Sequence, residues 1–129
     1  LSVMAALLGT PFEPDTRGRI VFLEDVNEPL YKIDRMLTSL SLAGKFDGCA
    51  GIVLGSFENC PPDCESAHGP CALAELFCDA LLPFDVPVIS NLRFGHTYPQ
   101  VTFASGAAAL LDTESSTPLR YCLTADYYR

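Results

Sequence analysis

The sequence predicts an α/β domain built on a mixed sheet, with a second, smaller sheet towards its C-terminal end. Two continuous apolar runs, residues 20–23 and 50–54, are each followed further along by a segment of helical periodicity, the order that builds a βαβ layer. From Gln100 onward the pattern changes to short β-like segments separated by Ser105-Gly106 and by residues 112–118, which reads as hairpins. No internal repeat or low-complexity stretch interrupts the 129 residues. That length suits a single domain over 1–129.

Taken in order, residues 1–9 read as the last turns of a helix, closed by Gly9 with Pro11 beyond. They lack the charged start of a signal peptide, so the sequence is expected to be the C-terminal portion of a longer protein. Residues 11–18 are a turn-rich connector. Residues 19–24 form a strand of the fully buried kind, a continuous apolar run that stops at Glu24. Residues 30–43 form a helix whose buried face carries Ile33, Leu37, Leu40 and Ala43, with Gly44 ending it. A second buried strand covers 50–55, and a polar, proline-rich loop covers 57–70. A second amphipathic helix covers 72–82, and a third strand lies at 86–90. Short β segments are expected at 100–104, 107–111 and 119–124.

Composition narrows the function. Eight Lys and Arg against sixteen Asp and Glu leave a net charge of −8, which is unsuited to nucleic acid or to an anionic membrane surface. No apolar stretch approaches the roughly 20 residues that span a bilayer. Of six cysteines, Cys49, Cys78 and Cys122 lie in apolar segments, where a free thiol behaves as a small hydrophobe. A core of this size needs no disulfide, so a reducing cytoplasm is expected.

Two residues stand out for chemistry. Glu24 ends one buried strand, and His96, in Phe94-Gly95-His96, lies just past another. In open α/β sheets the C-terminal edge is where reactive groups gather. A carboxylate that orients an imidazole makes two thirds of a nucleophile-activating triad. The competing structural reading makes Glu24 a helix-capping acid, like Asp25, Asn27 and Glu28 beside it, and His96 an ordinary loop histidine. No serine of the chain has the setting of a nucleophile. Ser56, in Gly55-Ser56-Phe57, follows a strand but lacks the second flanking glycine of an elbow, and reads as a turn residue. Cys60, Cys64, His68 and Cys71 could supply four zinc ligands, yet their spacing fits no common finger pattern. No metal and no cofactor is expected.

These residues and several longer pieces resemble the C-terminal domain of the LD-carboxypeptidases, serine peptidases that include muramoyl-tetrapeptide carboxypeptidases and microcin self-immunity peptidases. The pieces are Leu8-Gly9-Thr10-Pro11, the run from Ile20 through Glu24-Asp25-Val26-Asn27-Glu28, Tyr31-Lys32-Ile33-Asp34-Arg35-Met36-Leu37, Gly51-Ile52-Val53-Leu54-Gly55-Ser56-Phe57 and Phe94-Gly95-His96. The resemblance implies a swivelling β/β/α domain and a Ser-Glu-His triad. Glu24 and His96 would be the acid and the base, with the serine on a separate N-terminal nucleophile domain. It further implies a bacterial cytoplasmic enzyme, expected as a homodimer, that removes the terminal D-alanine from murein tetrapeptide in cell-wall recycling. The alternatives are a peptidase acting on an aminoacyl-nucleotide, as in microcin immunity, and a catalytically silent binding domain. The cysteine-bearing loop departs from the family pattern.

Overall fold

The computed structural model describes residues 1–61 and 72–122, with side chains through Arg120. Three parallel strands, β1 (Ile20–Val26), β2 (Gly51–Glu58) and β3 (Val88–Ile89), form the main sheet in the order β1-β2-β3. Helix α2 (Leu30–Leu42) connects β1 to β2, and helix α3 (Ala72–Leu81), followed by a 3-10 turn over Leu82–Phe84, precedes β3. Such crossovers are what parallel strands require. A short helix α1 (Ser2–Ala6) comes first, and β4 (Ala108–Leu111) and β5 (Leu119–Cys122) form an antiparallel pair at the end. Parallel and antiparallel pairing are therefore both present, divided between two sheets.

The helix periodicity reads correctly except at Ala43, which follows the last residue of α2 and is exposed. Leu30, Ile33, Leu37 and Leu40 are the buried residues of α2, and they meet Leu23, Phe46, Ile52 and Leu81 in the main core. At the end of α2 the amide of Lys45 donates to the carbonyl of Leu40 and that of Gly44 to Ser41, a glycine-centred stop. The other face of the sheet is thinner: Val53, Phe94 and Leu111 are buried there, with Phe22 and Phe103 packed against them.

Three further expectations need correction. Strand β1 runs two residues past Glu24, to Val26, and its burial alternates rather than being continuous. The alternation follows from its two unlike faces, one on the helices and one half-covered by aromatic side chains. Residues 100–104 join no strand. The amide of Val101 donates to Arg93 at 2.6 Å, while Phe103 stacks on Phe22 with ring centroids 4.6 Å apart, so this segment holds by side-chain contact instead of a ladder. Cys78, on α3, is exposed, whereas Cys49 is buried as its apolar setting implies.

Candidate active site

Glu24 occupies an irregular place in the sheet. The register pairs Leu23 with Leu54 and then Asp25 with Phe57, so Gly55 and Ser56 of β2 together face the single residue Glu24. This is a β-bulge, a device that bends a strand and re-aims side chains. Around it, the residues after β3 return over the sheet. The amide of Leu92 donates to the carbonyl of Leu54 at 3.2 Å. The carbonyl of Phe94 accepts from the amide and from the hydroxyl of Ser56, at 3.2 and 2.9 Å.

Gly95 then turns the chain with φ of +98°, and its surroundings leave no room for a side chain. A Cβ there would lie 2.8 Å from both Cγ and Cδ of Glu24. Gly55 is equally constrained, since a Cβ would meet the ring of Phe94 at 2.6 to 2.8 Å. One glycine lets the aromatic ring lie on β2, and the next lets the chain pass over the carboxylate.

The result is a contact between residues 72 positions apart: His96 Nδ1 lies 2.9 Å from Glu24 Oε2. The histidine side chain is 59% exposed and the glutamate 27%, so the ring is held at Nδ1 while much of it stays accessible. Among the described residues Nε2 has no hydrogen-bond partner. An imidazole held at Nδ1 by a carboxylate is set in the tautomer that leaves Nε2 able to take a proton. A groove of about 730 Å³ opens beside the loop, bordered by Ser56, Phe57, Phe77, Leu92, Arg93 and Thr97. Arg93 Nη2 donates to the carbonyl of Tyr98 at 3.1 Å, which ties together the two ends of the segment carrying His96.

The neighbouring acids behave differently. Asp25 is buried, and its carboxylate accepts from the amide of Ser2 at 2.8 Å and from that of Val26 at 2.9 Å. It fastens α1 to the sheet. Glu28 pairs with Lys32 at 3.2 Å. Pro29 precedes α2 as its N-cap residue and there is no side-chain cap bond, so none of these acids, Glu24 included, serves as its cap. Cys60 is half-buried and its thiol approaches the carbonyl of Glu58 at 3.5 Å. Burial pushes its pKa up, which disfavours the reactive thiolate. Cys64, His68 and Cys71 lie outside the described residues; among those described, no cluster of three or more His, Cys, Asp or Glu is placed to hold a metal ion. Likewise, no helix among the described residues is long and apolar enough to cross a membrane.

Sequence reasoning singled out Glu24 and His96, which the structure brings into contact, but missed the bulge and read Ser56, a residue of β2, as a turn residue. Its one available signal was the break in the apolar run at Gly55-Ser56, where a glycine inside a strand marks a bulge or a close approach.

The structure thus brings a glutamate and a histidine together at the carboxyl side of a parallel sheet. The chain belongs to the LD-carboxypeptidase family: the family described as "LD-carboxypeptidase C-terminal domain" matches residues 1–111. It is 37% identical over 117 residues to a probable murein peptide carboxypeptidase of Bacillus subtilis (strain 168), covering 91% of this chain and 36% of that protein. The crystal structure of muramoyltetrapeptide carboxypeptidase from Oxalobacter formigenes superposes with a TM-score of 0.70 at 32% identity, covering 84% of this chain and 37% of that one. The microcin C7 self-immunity protein MccF of Escherichia coli is 27% identical over 117 residues, 89% of this chain and 33% of that protein. The chain thus spans about a third of the length of the curated relatives it matches.

Proposed function

We propose that residues 1–129 form one unit, with 1–9 ending a preceding helix, that supplies the acid and base of a serine LD-carboxypeptidase. The observation that carries this reading is the 2.9 Å contact between His96 Nδ1 and Glu24 Oε2 on a histidine whose side chain is more than half exposed. The serine belongs to an N-terminal nucleophile domain, and its hydroxyl meets His96 Nε2. As the serine oxygen attacks the carbonyl of the L-configured residue, its proton passes to Nε2, and Glu24 stabilises the imidazolium that forms. His96 then gives that proton to the departing amine of D-alanine. A water molecule, deprotonated in turn by His96, cleaves the acyl-enzyme and restores the serine.

The substrate in this reading is murein tetrapeptide, met in the bacterial cytoplasm during peptidoglycan recycling, and the enzyme is a homodimer needing no metal or cofactor. Likeness to a murein peptide carboxypeptidase and to a muramoyltetrapeptide carboxypeptidase supports that substrate class. A second reading, hydrolysis of an aminoacyl-nucleotide, has the support of the likeness to a microcin self-immunity protein. The full-length enzyme, offered murein tetrapeptide and an aminoacyl-adenylate analogue in parallel, separates the two. Release of D-alanine that disappears in His96→Ala is the expected result. Turnover of the nucleotide alone favours the second reading, and turnover of neither leaves Glu24 and His96 as parts of a silent binding domain.

A further inference from the structure

We infer that Ser56 is a positioning residue for the Glu24–His96 pair, an inference that rests on the peptidase reading above. Its main chain and side chain act on the same atom: the amide, at 3.2 Å, and the hydroxyl, at 2.9 Å, both donate to the carbonyl oxygen of Phe94. That carbonyl belongs to the peptide plane joining Phe94 to Gly95, and the next torsion along the chain is the +98° φ of Gly95. Glycine resists rotation about its backbone less than any other residue. A histidine placed directly after one needs an external restraint if its ring is to stay on a carboxylate. Ser56 supplies that restraint one peptide upstream.

The bulge explains why this residue is in reach. In regular pairing one residue of β2 would face Glu24; here Gly55 and Ser56 both do. Gly55 gives the Phe94 ring its place against β2, and Ser56 takes hold of the carbonyl of the same residue. Adjacent residues of one strand thus both act on Phe94, two residues before His96. Ser56 is half-buried at the border of the groove.

The test is kinetic and uses the full-length enzyme. Ser56→Ala keeps the amide bond and removes the hydroxyl. It is expected to lower kcat about tenfold with KM nearly unchanged, because a small misplacement of a reacting group is felt in the transition state far more than in binding. Ser56→Thr, which restores a hydroxyl, is expected to recover most of the loss. Ser39→Ala, which removes a hydroxyl bonded to the Arg35 carbonyl at 2.8 Å on α2, is the matched control and should leave kcat unchanged. If Ser56→Ala does not fold, Ser56→Cys makes the same comparison with a far weaker donor.

In a Glu24→Gln background, Ser56→Ala should cost nothing further, since residues acting through one another are not additive. Unchanged kcat in Ser56→Ala, or an equal loss in both backgrounds, overturns the inference while leaving the peptidase reading standing. Wild-type turnover in Glu24→Gln itself sinks that reading, and the inference with it.

Discussion

Gly95→Ala is the sharpest test of how the site is built. The added Cβ would sit 2.8 Å from Cγ and Cδ of Glu24, whereas carbon atoms at rest lie about 3.5–4.0 Å apart. Relief requires the loop or the carboxylate to give way by about 1 Å. The Nδ1···Oε2 separation is 2.9 Å, and a retreat of that size takes it past the limit of a hydrogen bond near 3.2 Å. A reacting group misplaced by about 1 Å costs on the order of 10²-fold in rate. Holding alanine at a φ of +98° adds about 1–3 kcal/mol of backbone strain. The full-length variant should therefore show kcat about 10²-fold down at similar KM, with a modest fall in stability by denaturant titration. Murein tetrapeptide turnover, followed by release of D-alanine, reads the first quantity. A stable variant with unchanged turnover would refute the argument, because it would mean that neither the contact nor the backbone angle governs the pair.

Glu24→Gln should retain the fold but lose about 10⁴-fold in kcat, the scale of the equivalent change in Ser-His-Asp triads; Asp25→Asn should instead lose about 1–3 kcal/mol of stability at near-normal turnover, because Asp25 is buried and bonded to the amides of Ser2 and Val26. Equal loss of activity in both would remove the distinction between the two acids. Leu37→Ala, at a fully buried position on α2, should cost about 2–5 kcal/mol in chemical denaturation, and a smaller loss would mean that the helix face repacks. In the folded protein a maleimide should label exposed Cys78 quickly and buried Cys49 slowly, since burial both shields the Cys49 thiol and pushes its pKa up; mass spectrometry of the labelled peptides decides it.

What could be read in advance follows a physical pattern. The α2 face, with Ile33, Leu37 and Leu40, was legible because helix periodicity is a property of one segment. That Glu24 and His96 could meet was legible because each comes after an apolar run, and the carboxyl ends of such strands lie on one edge of the sheet. The bulge was not, since it exists only in the register between β1 and β2, and a single strand carries no record of its partner's count. The same limit hid the role of Ser56, whose bonds reach across 38 residues to Phe94. Residues 100–104 misled because β propensity measures fit to a half-buried surface; Phe103 has such a surface against Phe22 and Phe94 without any ladder. Cys78 misled because most of α3 is apolar, while Cys78 itself sits beside Asp79 and is exposed.

The sheet's two unequal faces bear on how the molecule would lose activity. Glu24 stands on a strand packed into the large helix-covered core, while His96 hangs from a segment that rests on Val53, Phe94, Leu111 and a few aromatic neighbours. Local opening draws on the least buried regions first. Amide protons of residues 91–107 should accordingly exchange with solvent well before those of Val21, Leu23, Ile52 and Val53. Warming or mild denaturant would then peel the histidine away from its carboxylate while the parallel strands stay paired, so that the Glu24–His96 contact is lost below the temperature at which the domain itself melts.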